Sequence, residues 1–167
     1  FNWFGVIGGF ILNFLDSPSN NLLIADEVGL GKTIEAGLIW TELRSRINSR
    51  RLMVLCPAML RQKWYKELKE KFGISADILG ARETLQFFRE YTEGQKQEFS
   101  IICSLQGLRP RKEWNEEGEE GFDTGASKLA RFLNEVRYEH TILDLLIIDE
   151  AHYLRNPESM TSKLGRL

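Results

Sequence analysis

The sequence predicts an α/β domain, with a mostly parallel sheet and helices on both faces. Three observations carry that prediction. Short apolar runs (Leu22–Ala25, Leu52–Cys56, Phe99–Cys103 and Leu145–Ile148) alternate with segments whose apolar residues recur at helical spacing. The runs are continuously apolar, as expected of strands covered on both faces rather than half-exposed. Two of them end in residues suited to chemistry at a strand's C-terminal edge, where open parallel sheets bind ligands. A chain of 167 residues with 43% apolar content suffices for one domain with a sizeable core, so residues 1–167 are read as a single unit.

Taken in order, Phe1–Leu15 is apolar but is interrupted by Asn2, Asn13 and three glycines. It is too short to span a bilayer and lacks a basic leader and a small-residue cleavage site, so no membrane role is expected. It reads as a buried helix or irregular core segment. Asp16–Asn21 is a turn, and Leu22–Ala25 is the first strand. Asp26, Glu27, Val28, Gly29, Leu30, Gly31, Lys32 and Thr33 follow, and then a helical pattern. A strand, a Gly-rich turn and a helix N-terminus together make a phosphate cradle. Backbone N–H groups point inward and the helix dipole adds partial positive charge. Gly29 and Gly31 permit positive φ and close backbone approach. Lys32 suits the β- and γ-phosphates of ATP, and the Thr33 hydroxyl suits Mg²⁺. The usual pattern begins with a Gly, where this chain has Asp26.

Ile39, Leu43 and Ile47 continue the helix, whose end gathers Arg44, Arg46, Arg50 and Arg51. Those arginines read as favourable C-terminal charge and solvation ahead of nucleic-acid contact. Leu52–Cys56 is the second strand, closed by Pro57. Leu60, Trp64, Leu68 and Phe72 then recur every four residues, which reads as a core stripe rather than a base-stacking platform. Arg61, Lys63 and Lys66 lie off that stripe and suit phosphate contact. Asp77–Leu79 is a short strand, Thr84–Tyr91 a helix with Leu85, Phe88 and Tyr91 inward, and Gly94–Glu98 a polar turn. Phe99–Cys103 is a strand followed by Ser104. Residues 109–125, rich in Glu and Gly, read as a mobile acidic insertion. Leu129, Phe132, Leu133 and Val136 mark an amphipathic helix.

Leu145–Ile148 is the last strand, and Asp149 and Glu150 sit at its C-terminal edge. Asp149 there suits Mg²⁺ ligation, and Glu150 suits orienting and deprotonating a water. Cys56 and Cys103 lack metal-ligand spacing, and His140 and His152 are the only histidines. Two reduced core thiols in a cytoplasmic protein are the simplest reading. The net charge of −2 provides no global basic field, so any nucleic-acid contact must be a local patch.

These motifs resemble a known family. Asp149-Glu150-Ala151-His152 spells the DEAH form of the motif shared by helicases and translocases of superfamily two. DEVGLGKTIEAG, Asp26–Gly37, is similar to the Swi/Snf-type DNA-dependent ATPases, especially the bacterial branch that includes the RNA-polymerase-associated ATPase. The family's Asp-Glu pair also accounts for Asp26. The likeness runs from about Leu22 to Pro157. It implies a RecA-like P-loop domain, ATP and Mg²⁺ as cofactors, and hydrolysis coupled to translocation along double-stranded DNA. It implies backbone contacts to nucleic acid near Pro57, Arg61, Lys63 and Ser104, and a coupling role for His152. It also implies a second RecA-like lobe that supplies arginines to the γ-phosphate. No such lobe is read in these residues, so weak turnover is expected of the chain alone. The family's Gln-containing adenine segment has no counterpart upstream, since no Gln precedes Gln62. Two alternatives share the motifs. One is the helicase subunit of a restriction or phage-defence complex, and the other is a nucleotide-binding module without turnover.

Overall fold

A computed structural model describes residues 31–110, 124–136 and 141–151. The elements are α1 (Lys32–Ile47), β1 (Arg51–Cys56), a 3-10 turn (Ala58–Leu60), α2 (Arg61–Phe72), β2 (Asp77–Leu79), α3 (Ala81–Thr92), β3 (Phe99–Ser104), α4 (Leu105–Leu108), α5 (Gly125–Val136) and β4 (Leu145–Ile148). The described strands form one sheet in the order β2-β3-β1-β4, and every pairing is parallel. This is the expected α/β architecture. Leu22–Ala25, read as the first strand, lies outside the described residues, as do the Phe1–Leu15 segment and the turn that follows it.

Alternation along β1 builds the two layers of core. Leu52, Val54 and Cys56 face one side, where Ala36 and Trp40 of α1 and Trp64 and Leu68 of α2 cover them. Met53 and Leu55 face the other, with Leu85 and Phe88 of α3 and Leu129 of α5. Both faces are therefore buried, which is why the strand reads as an unbroken apolar run. Fully burying each such side chain stabilises the fold by roughly 1.5–3 kcal/mol. Some polar groups that enter this core find partners inside it. The fully buried Thr84 hydroxyl donates to the Gly80 carbonyl at 2.7 Å.

At the N-terminal edge of the sheet, Arg51 and Asp144 form an ion pair. The Asp144 carboxylate also accepts the backbone N–H groups of Arg50 and Arg51, at 2.7 and 2.9 Å. Arg51 thus departs from the expected solvated arginine cluster, because it begins β1 and is held by a carboxylate 93 residues away. Ile47, expected on the buried stripe of α1, is 62% exposed in the last turn, just before Asn48 ends the helix in a left-handed conformation. The stripe on α2 is buried at Trp64 and Leu68, while Leu60 and Phe72 at its ends are half-buried. Of the acidic segment 109–125, residues 111–123 lie outside the described residues. Its margins belong to the fold: Pro110 is buried, and Gly125 opens α5 against Arg82. No described helix is long and apolar enough to cross a membrane.

Candidate functional site

One group of candidate residues stands at the start of α1. Gly31 stands before it at φ 107° and ψ 14°. A Cβ there would meet nothing within 4 Å among the described residues, and the positive φ by itself favours glycine. The Gly31 carbonyl accepts from the N–H groups of Ile34 and Glu35 at 2.7 and 3.0 Å, which closes the first turn. Helix geometry leaves the N–H groups ahead of those two without an intrahelical acceptor. Lys32 and Thr33, both half-buried, occupy this turn. Asp26, Glu27, Val28, Gly29 and Leu30 lie outside the described residues, as does His152.

A second group stands at the end of β4. The Asp149 N–H donates to the Leu55 carbonyl at 2.8 Å, extending the β1–β4 ladder one residue past the strand. Its carboxylate is held at both oxygens. Oδ2 accepts the Trp64 indole N–H at 2.9 Å, and Oδ1 accepts the Glu150 backbone N–H at 2.9 Å. Glu150 takes φ 56°, a left-handed conformation that a non-glycine residue adopts at a cost of roughly 1–2 kcal/mol. Backbone strain of this kind concentrates at functional sites. The Glu150 side chain is exposed.

Two thiols lie behind this edge. Burial, and secondarily the Asp149 carboxylate, pushes the Cys56 thiol up to about 12. Burial pushes Cys103 up to about 11, against a smaller opposing effect of its contact with the Thr84 hydroxyl. Thiols so far from ionisation are packing groups rather than nucleophiles or metal ligands.

The four residues read for nucleic-acid contact are divided by the structure. Pro57 is buried at the end of β1, and the adjoining Ala58 N–H donates to the Gln106 side-chain oxygen at 3.3 Å. Arg61 is half-buried, with its Nε donating to the Ala58 carbonyl at 3.2 Å. Lys63 is exposed on α2. Ser104 is only 7% exposed, and its hydroxyl oxygen accepts the Gly107 N–H at 2.8 Å, capping α4. Ser104 pairs with Cys56 across β3 and β1, so it sits on the same sheet edge as Asp149. Sequence reading missed the Trp64 indole and the Gln106 amide. Trp64 lies on an apolar stripe, and nothing in that periodicity reveals where its N–H points.

Residues 10–166 match the family described as the SNF2-related domain. The chain belongs to this family. The match spans both groups of candidate residues and all ten described elements. SNF2-related domains are Swi/Snf-type, helicase-like ATPase lobes, and ATPases of this type act generally on DNA. The donor chemistry of this SNF2-related chain fits the nucleotide and divalent metal that the family implies. Asp149 is half-buried, and no Lys or Arg among the described residues pairs with it. Its two neutral N–H partners leave further lone pairs on both oxygens. A hydroxyl and a carboxylate are hard oxygen donors of the kind Mg²⁺ prefers.

Proposed function

We propose that this lobe binds Mg²⁺–ATP and, in the protein it serves, drives ATP hydrolysis coupled to translocation along double-stranded DNA. In this reading Lys32 would bind the β- and γ-phosphates, with Asp26, Glu27, Val28, Gly29, Leu30 and Gly31 supplying the other phosphate contacts. Thr33 and Asp149 hold Mg²⁺, and Glu150 orients and deprotonates the attacking water. When bound, the metal neutralises charge on the phosphates. The observation that carries the reading is the Asp149 carboxylate, oriented by two neutral donors and left without a cationic partner among the described residues, at the C-terminal edge of a parallel sheet.

Pro57, Arg61, Lys63 and Ser104 follow as the nucleic-acid side. Pro57 and Ser104 act through the backbone turns that they shape, since one has no side-chain donor and the other is a buried cap. His152 couples the two sides, and a second RecA-like lobe supplies the remaining charge on the γ-phosphate. The Asp26–Gly37 motif supports the bacterial branch that includes the RNA-polymerase-associated ATPase, with RNA polymerase or a defence complex as partner and the cytoplasm as the place of action. The test is nucleotide-binding calorimetry with and without Mg²⁺, combined with phosphate release with and without duplex DNA. Mg²⁺-dependent ATP binding, and release that Glu150→Gln abolishes, is the expected result. Nucleotide binding indifferent to Mg²⁺ refutes it.

A further inference from the structure

We propose that Trp64 is the positioning residue for Asp149, so that α2 fixes the orientation of the carboxylate that meets the metal–nucleotide. The inference rests on the reading of Asp149 as a Mg²⁺ ligand. Trp64 is 3% exposed and stands on the buried stripe of α2, where any large apolar ring would fill the space. Its indole N–H nevertheless reaches across to Asp149 Oδ2 at 2.9 Å, 85 residues away in sequence.

Burial alone does not demand such a partner in this fold. Trp40, 1% exposed in the same core layer, has an indole nitrogen with no hydrogen-bond partner among the described residues. The Trp64 contact is therefore a specific placement against a half-buried carboxylate. Together with the Glu150 N–H on Oδ1 it anchors both oxygens, which opposes rotation of the carboxylate plane. A neutral donor does this without cancelling the charge that a cation needs. Arg or Lys at this place would form an ion pair and compete with the metal. Outer partners of metal ligands act in this way, and losing one typically costs about 10–100-fold in metal affinity.

The position of α2 gives the contact a further consequence. The helix begins immediately after the Pro57–Ala58 turn, where Arg61 Nε holds the Ala58 carbonyl and Gln106 holds the Ala58 N–H. One turn of helix then separates this edge from the indole. A displacement at the proposed nucleic-acid side thus reaches Asp149 through a single rigid element.

The experiment uses the whole chain labelled with ¹⁵N-tryptophan, ADP as nucleotide, and Trp64→Phe, which keeps an aromatic ring and deletes the N–H. The Trp64 indole N–H resonance, identified by its absence in Trp64→Phe, is expected to move when Mg²⁺ is added to chain saturated with ADP in chelator. In Trp64→Phe the Mg²⁺ concentration that half-saturates the ADP complex is expected to rise about 10-fold. ADP affinity in chelator should stay within about twofold, a difference below roughly 0.4 kcal/mol. In an Asp149→Ala background the second substitution should add nothing. An indole resonance unmoved by Mg²⁺, while Mg²⁺ still tightens ADP binding, overturns the proposal and leaves the proposed function standing. If Mg²⁺ does not tighten ADP binding even in the unmodified chain, the reading of the site and this inference fall together. Should Trp64→Phe fold poorly, the same resonance is identified by its shift in Asp149→Ala, which removes the acceptor of the indole N–H, so the decision does not depend on one variant.

Discussion

Replacing Asp144 with Ala tests how the sheet is held at the edge opposite the site. The Asp144 carboxylate accepts four donors: the Arg50 and Arg51 N–H groups, Arg51 Nε at 3.1 Å, and Arg51 Nη2. The Arg51 and Asp144 side chains are 16% and 19% exposed, so the pair is largely but not wholly withdrawn from water. Breaking a fully buried pair by removing one partner costs about 3–5 kcal/mol. The residual exposure lowers that, and two stranded backbone N–H groups raise it, which gives about 2–4 kcal/mol. For a chain of this size each kcal/mol moves Tm by about 2–4 °C, so the drop should be about 4–16 °C by circular dichroism. The pH dependence carries a sign. Burial pushes the Asp144 carboxyl up, but the bonds from Arg51 and from the Arg50 and Arg51 backbone outweigh it and hold the pKa below the ordinary value. A lowered folded pKa contributes stability that is present above the unfolded value, about 3.9, and lost as pH falls through the folded one. The gap between parent and Asp144→Ala should therefore be full at pH 7 and narrow from about pH 5 downward. Arg51 is shifted up by the same pairing and stays charged throughout that range. A Tm change under about 2 °C at pH 7, or a gap that stays constant to pH 3, would refute this account.

Other changes bear on the candidate site and the core. Lys32→Ala should remove charge-assisted phosphate contacts worth roughly 1.5–3 kcal/mol each, a loss of at least 10-fold in ATP affinity by calorimetry. Unchanged affinity counts against the phosphate role. Glu150→Gln should leave ATP binding within a few-fold and abolish phosphate release, and a variant that still turns over shows that another group activates the water. Gly31→Ala forces a side chain onto φ 107° and should destabilise the chain by about 1–3 kcal/mol, read as a fall in urea midpoint. Cys56 and Cys103, with thiols pushed up to about 12 and about 11, should resist iodoacetamide at pH 8 until urea unfolds the chain, and rapid labelling of the native protein would contradict their burial.

The strands were legible because a parallel sheet covered on both faces needs continuous apolar runs. Leu52–Cys56 is of that kind, and the structure places it, adding Arg51; Leu145–Ile148 is placed too, but among the described residues it is only half-buried, with Leu146 41% exposed. Asp77–Leu79 was legible despite its length, since it falls between helical patterns. Long-range polar pairing was not legible. Arg51 followed Arg50 in sequence and read as part of a solvated cluster, because its partner Asp144 lies far along the chain. Ser104 read only as the residue after a strand, with a nucleic-acid contact implied by the resemblance, but a short helix follows immediately and takes its hydroxyl as a cap. Of the candidate site, Lys32, Thr33, Asp149 and Glu150 were proposed from motif spacing, and the structure places the first two in the opening turn of α1 and the other two just past β4. The indole that orients Asp149 was hidden within an apolar stripe that correctly predicted its burial.

The two aspartates that bracket β4 show how one residue type is given opposite tasks. Asp144 meets a guanidinium and two backbone N–H groups, so its charge is neutralised and its position locked. Asp149, five residues on, meets an indole and one backbone N–H, which orient it without neutralising it. β4 connects the two directly, through parallel pairing with β1 from Leu52–Leu145 to Leu55–Ile148. The first contact fixes the start of the strand relative to β1, and the ladder transmits that register to Asp149, whose N–H still bonds the Leu55 carbonyl. A one-residue slip would turn Asp149 to the other face of the sheet and away from Trp64. The ion pair at the N-terminal edge therefore stabilises the fold and also sets the alignment at the C-terminal edge, where the Asp149 carboxylate has no Lys or Arg partner among the described residues.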